Sequence, residues 1–218
     1  MMKEKKLSFA KIAMGTFGAA LVVGAITVMA IAPTESVLQG EAHAAWTSNA
    51  QTVAQQVMEA DLVVRVQVVG QSDARHLWHP TPEGAKPGRF VFTDSEVEVL
   101  EVYRGNVNVG DRLPVLQTGG DLITRGGKLS RLELREDPIY QFGAEMVLFL
   151  VDISGDSVHA PNRDLYRTVN PLGRYEIEGG FVGNRAFGDH TKARELDLAS
   201  LETEIRDAVI ARALIEEF

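Results

Sequence analysis

The chain contains no cysteine, and this absence removes several kinds of chemistry at once. Disulfide bonds, thiol catalysis, lipid attachment to cysteine and zinc sites that need thiolates are all excluded. The fold must therefore be held by packing and hydrogen bonds alone. About 170 residues follow position 44, which is enough for one hydrophobic core without covalent cross-links.

Basic residues are also in short supply. The chain has 22 Lys and Arg against 30 Asp and Glu, a formal net charge of −8, and only 7% of its residues are aromatic. An acidic surface repels phosphate backbones, and the apolar stretch 62–70 has no aromatic residue on which a base could stack. We therefore expect no nucleic-acid partner.

The amino-terminal segment has the pattern of an export signal. Lysines at positions 3, 5, 6 and 11 precede an uncharged, mostly apolar run of 21 residues, 12–32, and Ala42-His43-Ala44 follows as a small-residue cleavage pattern. The same run is long enough to cross a hydrocarbon core of roughly 30 Å as a helix. Two outcomes stay open: residues 1–44 are a signal peptide that is removed, or they anchor the chain in the membrane.

Either outcome places the bulk of the chain outside the cytoplasm, because the lysines favour the cytoplasmic side. We expect a protein that is secreted, or anchored to the cell membrane by residues 12–32. The remaining part, 45–218, is expected to be one domain.

Hydrophobic periodicity predicts that this domain is mainly β, with a helix at each end. The first helix is expected from a capping box at 48–51 to residue 60, and a valine-rich strand follows at 62–70. A long loop is predicted at 71–88, where proline and glycine are frequent. Further strands are expected at 89–103, 112–117, 130–135, 146–151, 166–169 and 175–177, and the last helix begins at Asp197 or Ser200.

The strand at 89–103 changes its apolar face partway along. Val97 and Val99 share one face, whereas Leu100 and Val102 lie on the opposite phase. A phase change of this kind indicates a β-bulge, which lets a sheet curl into a barrel. We predict a small OB-like closed β-barrel with flanking helices, preceded by the signal or transmembrane helix; an open sandwich is the alternative.

Two segments resemble the netrin-like module of the tissue inhibitors of metalloproteinases. These are AQQVMEADLVVRVQVV at 54–69 and EVEVLEVYRG at 96–105. The order of a helix, Ala-Asp, a valine-rich strand and a long strand that ends in an aromatic residue, a basic residue and glycine is similar in that family and in exported bacterial proteins of unassigned function. The resemblance implies an OB-type barrel. It does not imply protease inhibition, because the inhibitors chelate zinc through an amino-terminal cysteine and this chain has none.

Candidate binding residues lie in the predicted loop 71–88. His76, Trp78 and His79 are expected to contact a partner, because aromatic side chains on loops supply binding energy. The alternative is a metal-dependent enzyme or metal carrier that uses His76 and His79, which needs His159 or His190 on the same loop to complete the ligand set.

No catalytic residue and no cofactor are predicted. The chain has no Gly-x-Ser-x-Gly elbow and no phosphate-binding loop. The glycine pairs at 119–120 and 126–127 indicate a flexible hairpin rather than a ligand cradle. We expect a non-enzymatic binding module that contacts a protein, peptide or other envelope component through its loops.

Overall fold

A computed structural model describes residues 38–42, 48–79, 88–123, 127, 129–134, 137–184 and 196–216. The predicted leader helix at 12–32 lies outside the described residues, as do His190 and the side chains of Trp78 and His79. Among the helices that are described, none has the length and apolarity that a membrane span requires.

Within the described residues the chain forms two α-helices, one near each terminus, and eleven strands. The helices are α1 (Val53–Glu59) and α2 (Leu198–Glu216), and the strands are β1 (Leu38–Ala42), β2 (Leu62–Gln71), β3 (Arg75–His79), β4 (Gly88–Arg104), β5 (Arg112–Ile123), β6 (Leu129–Leu134), β7 (Glu145–Asp152), β8 (Tyr166–Thr168), β9 (Arg174–Glu178), β10 (Phe181–Gly183) and β11 (Leu196–Asp197).

Five of these strands close into a barrel. β2 pairs with β4 and β7, and β4 pairs with β5. The short β8 closes the barrel, because it pairs in parallel with β5 and antiparallel with β7. The prediction of a mainly β protein with a closed barrel and two helices is confirmed, and the open sandwich is wrong. A closed five-stranded barrel also fits the OB-type expectation.

Two apolar clusters explain why the central strands are hydrophobic on both faces. Val64, Val66 and Val68 of β2 point into the barrel with Leu148 of β7. The alternate residues of β2 and β7 pack outside the barrel, where Val63, Val147 and Phe149 meet Val57 of α1 and Leu201 and Ile205 of α2. Both clusters are buried, so β7 is a central strand, as its sequence predicts.

The phase change in β4 is an irregularity in its pairing with β2. Val64 of β2 lies opposite Val102, but Val66 lies opposite Val99, so two residues of β2 span three of β4. Val97, Val99 and Val102 consequently pack against the same barrel core. The predicted bulge is confirmed, and it keeps apolar side chains inside as the strand curls.

The prediction of one loop over 71–88 is wrong for residues Arg75–His79. These residues form β3, which pairs antiparallel with the first part of β4, from Arg75 opposite Phe92 to His79 opposite Gly88. The strong turn signals lie at 80–88, and β3 itself has no clear apolar alternation. Its strand conformation comes from pairing with β4, which a local pattern does not reveal.

The first helix begins later than predicted. The capping box is formed by Thr52 and Gln55, not by residues 48 and 51: the Thr52 hydroxyl accepts from the Gln55 N–H and the Gln55 side chain accepts from the Thr52 N–H. Ser48 instead accepts a hydrogen bond from the Asn170 side chain. Residues 48–51 and 52–55 both have the Ser/Thr-x-x-Gln pattern. In the first of these segments, the Ser48 hydroxyl is bonded to Asn170 instead of capping the helix.

Candidate functional site

A cavity of about 510 Å³ lies at one end of the barrel, between the segment that joins β2 to β3 and the last part of β5. Its volume is in the range of small-ligand sites, roughly 300–1,000 Å³. Most of its wall is polar, with side chains that include Ser72, Asp73, His76, Thr93, Asp121 and Arg131.

A glycine bend in β5 forms one wall of this cavity. β5 pairs with β4 as far as Thr118 and with β6 from Gly119 onward. Gly119 and Gly120 have φ values of +116° and +139°, which side chains disfavour. A methyl group at Gly119 would overlap the Leu132 carbonyl, and one at Gly120 would overlap Thr93. β5 and β6 form an antiparallel hairpin, as predicted. Gly119 and Gly120 lie within β5 rather than in a flexible turn, and Gly120 lines the cavity.

A cluster of two arginines and one aspartate braces the adjacent connections. Asp94 is buried in β4, and its two carboxylate oxygens accept from Arg75 at 2.8 Å and from Arg163 at 2.7 Å. Both guanidinium groups also donate to the His159 carbonyl. The cluster therefore ties β3 to the 153–165 connection between β7 and β8. Burial lowers the pKa of Arg75, Asp94 opposes that shift, and Arg163 adds to it.

Beneath the cavity lies a buried polar network. The Gln117 side chain accepts from the Ser95 hydroxyl at 2.7 Å and from the Tyr140 N–H at 2.9 Å, and it donates to the Pro138 carbonyl. The Tyr140 carbonyl in turn accepts from Gln71, a residue of the cavity wall. The network holds the chain around residue 139, which also lines the cavity.

Arg174 closes this network from β9. Its guanidinium lies over the Tyr140 ring, 4.4 Å from the centroid, and pairs with Asp137 and Glu176. Burial raises the pKa of Asp137, and Arg174 opposes that shift. Burial likewise raises the pKa of the Tyr140 hydroxyl. This arrangement is a structural support, because Asp137, Tyr140 and Arg174 are almost fully buried.

Of the sequence-predicted binding residues, His76 lies in β3 and lines the cavity. Trp78 and His79 lie in the same strand, opposite Arg89 and Gly88 of β4. Sequence reasoning missed the arginine–aspartate cluster. No local signal marks Asp94, which stands beside the polar residues Thr93, Ser95 and Glu96 in the sequence.

The structure does not place His159 beside His76. Arg75 lies opposite Phe92, and the Phe92 ring meets the His159 ring edge to face at 5.3 Å. Since neighbouring residues of a strand point to opposite faces, His76 and His159 lie on different faces of the β3–β4 ribbon. Within the described ranges, three or more His, Cys, Asp or Glu side chains never gather as a metal site would require. The metal alternative stays a prediction.

Comparison with protein-family models, with curated proteins and with solved structures found no match. The netrin-like resemblance therefore stays a prediction, and the geometry of the cavity is the basis for a function.

Proposed function

We propose that the protein is an extracytoplasmic, non-enzymatic binding module that contacts a protein, peptide or other envelope component through the loops at the cavity end of its OB-like barrel. The observation that supports this most directly is the polar cavity, held open by a glycine bend and braced by the cluster around Asp94. A preformed site of this kind loses little conformational entropy when a ligand binds.

The hydroxyl groups in the cavity wall support binding rather than nucleophilic chemistry. Ser72 Oγ accepts from the Asp94 N–H at 3.0 Å and donates to the Asp73 carbonyl at 3.2 Å. Thr93 Oγ1 donates to the Gly119 carbonyl at 2.9 Å. A nucleophilic hydroxyl needs a general base within hydrogen-bond reach, whereas these two hydroxyls are engaged by backbone groups.

The proposed location rests on the amino-terminal pattern. Basic residues, an apolar run at 12–32 and a small-residue motif at 42–44 are typical of an exported chain. The module is then either released by cleavage or tethered by residues 12–32, and it lies outside the cytoplasm in both cases.

Binding is tested best with substitutions, because deletion of residues 71–88 would remove β3 and with it part of the sheet. Envelope extract is divided into a protease-treated and an untreated fraction, and each is added to the isotopically labelled full-length chain. We expect amide shifts at Ser72, Asp73 and Asp121, and we expect them to be lost in His76→Ala but kept in Asp207→Asn, a control on the exposed side of α2. Shifts confined to the 105–111 turn, or none with either fraction, would overturn the proposal.

A further inference from the structure

We infer that three arginines over the outer face of the barrel, Arg75, Arg163 and Arg167, bind a phosphate monoester group. This site is separate from the cavity, because neighbouring residues of a strand point to opposite faces. Thr93 lines the cavity, whereas Asp94, which holds two of the three arginines, lies on the outer face.

Two of the arginines meet on a single carboxylate. Arg75 and Arg163 donate to the two oxygens of Asp94, and both also donate to the His159 carbonyl. Each guanidinium thereby uses two of its five N–H donors, and the two side chains are 29% and 36% exposed. The pair therefore carries more positive than negative charge and keeps donors for a second oxyanion.

The strand registers place Arg167 in the same row of the sheet. Asp94 of β4 lies opposite Leu116 of β5, and Leu116 lies opposite Arg167 of β8. Val115, the neighbour of Leu116, belongs to the barrel core, so this row lies on the outer face. Two strand spacings of about 4.8 Å put the Cα atoms of Asp94 and Arg167 roughly 10 Å apart. A long arginine side chain and a bound oxyanion together span that distance.

Arg167 lacks a counterion. The structure gives it no hydrogen bond or ion pair with any described residue, and the Nε atoms of Arg167 and Arg75 are both buried without a hydrogen-bond partner. Buried N–H groups of native proteins are nearly all hydrogen-bonded, and an exception is commonly explained by a bound ion or water. An oxyanion at this site supplies the acceptors that these arginines lack.

The acidic residues next to the arginines in the sequence act on the other side of β8. Asp152 lies opposite Tyr166, and Tyr166 points away from the face of its neighbour Arg167. Burial raises the pKa of Tyr166, and the charges of Asp152 and Asp164 add to that shift. These two carboxylates therefore leave the charge of Arg167 unbalanced.

Two further carboxylates near this face are already engaged. Glu96, two residues after Asp94, lies 3.8 Å from Arg112. Asp156 accepts from the N–H and the ring of His159. Neither has the position of a counterion for Arg167.

The charge and the number of donors select a phosphate monoester among anions. The three arginines and Asp94 together carry 3 − 1 = +2 charges. A phosphate monoester carries about −1.5 to −2 charges at neutral pH and three acceptor oxygens, whereas a carboxylate carries one charge and two oxygens. Guanidinium groups bind phosphate through paired, charge-assisted hydrogen bonds. Because the whole chain carries a net charge of −8, binding depends on these contacts and not on attraction at long range.

The test is a titration of the isotopically labelled full-length chain with methyl phosphate, followed by the NMR signals of the arginine Nε–H groups. We expect the signals of Arg75 and Arg167 to shift. Arg167→Met should weaken binding by about tenfold, as loss of a charge-assisted hydrogen bond does. Arg112→Met is the matched control: it removes an arginine that is 58% exposed on the outer face of β5, and it should leave the affinity unchanged.

The ligand class is tested with matched anions. Dimethyl phosphate carries a single charge, and acetate presents a carboxylate, so both should bind more weakly than methyl phosphate. Dihexanoyl phosphatidic acid, a soluble lipid with a monoester head group, distinguishes the sources. Tighter binding of this lipid supports a lipid head group, and equal binding supports a free phosphate ester.

Three results would overturn the phosphate site. These are acetate or dimethyl phosphate binding as tightly as methyl phosphate, unchanged affinity in Arg167→Met, and an equal loss in Arg112→Met. Arg167 bonds to no described residue, so Arg167→Met is expected to fold, and circular dichroism checks this. Arg167→Gln is the second variant and should show the same loss.

Failure of the phosphate site and failure of the proposed binding function are distinguishable. If methyl phosphate leaves the arginine signals unchanged while an envelope fraction shifts the cavity amides, the phosphate site falls and the binding function at the cavity stands. If methyl phosphate binds and neither envelope fraction acts on the cavity, the phosphate site stands and the cavity proposal falls.

Discussion

Gly120 of β5 lies against Thr93 of β4, so close that a methyl group on Gly120 would overlap the Thr93 hydroxyl. The same methyl group would lie 2.7 Å from the Ala74 side chain. The absence of a side chain at position 120 therefore lets the bend in β5, the strand β4 and the β2–β3 connection approach one another around the cavity.

Gly120→Ala should therefore destabilise the protein by about 2–5 kcal/mol, the sum of backbone strain at positive φ and overpacking. Gly110→Ala is the matched control: Gly110 also has positive φ, +90°, but its added methyl group would meet nothing within 4 Å. Gly110→Ala should lower the free energy of unfolding by about 1–2 kcal/mol. Urea denaturation of both variants measures the difference, and equal losses would show that the contact with Thr93 is unimportant.

Asp94→Asn should loosen the connection between β7 and β8. Asp94 holds two guanidinium groups, Arg75 and Arg163, and is itself only 8% exposed. Removal of its charge leaves two partly buried cations without a counterion, at a cost of about 1–3 kcal/mol. Hydrogen exchange should accelerate at the amides of Ile153, Gly155 and Ala160, which bond within or beside that connection.

Glu98→Gln is the control for this variant. Glu98 pairs with Arg112 at 3.7 Å, and both side chains are well exposed, so its loss should change stability by less than about 0.5 kcal/mol. If Asp94→Asn is equally mild, the cluster does not brace the site.

The barrel is predictable from sequence because its signals are local. The valine-rich β2, the doubly apolar β7 and the phase change in β4 each report burial through the spacing of neighbouring residues. β3 was missed because its conformation depends on a partner strand.

The candidate site is less predictable, because its parts come from distant positions. His76 could be named from its residue type and its place among turn signals. Asp94 lies 19 positions from Arg75 and 69 from Arg163, and no local pattern joins them. The cavity also depends on Gly120, because β4 approaches it closely at Thr93. The sequence Gly119-Gly120 alone does not indicate this approach.

Arg174→Met should be strongly destabilising. Arg174 lies over Tyr140 and pairs with Asp137, which is 2% exposed. Without the guanidinium, Asp137 is left buried without its ion-pair partner, which costs about 3–5 kcal/mol. Urea denaturation at neutral pH measures this loss.

Arg206→Met is the matched control, because Arg206 also lies over a tyrosine, Tyr103, and pairs with two glutamates, Glu101 and Glu202. Its side chain is 53% exposed, so the loss should be below about 1 kcal/mol. Similar losses in the two variants would contradict the assigned role of burial.

Acid should weaken the start of α2 through Asp197. The hydroxyl and the N–H of Ser200 donate to its two carboxylate oxygens at 2.7 and 2.9 Å, and these bonds hold the pKa of Asp197 below its ordinary value of 3.8. Because the folded state prefers the ionised carboxylate, its contribution to stability is complete above that value. It is lost as the pH falls from 3.8 toward the lower pKa of the folded state.

Asp197→Asn keeps a capping side chain but does not titrate, so its stability should fall less steeply with pH in that window. Urea denaturation at pH 7 and pH 3 provides the comparison, with Asp207→Asn as a control that removes one exposed charge from the same helix. A pH dependence in Asp197→Asn as steep as that of the unsubstituted chain would show that the cap does not drive the acid sensitivity.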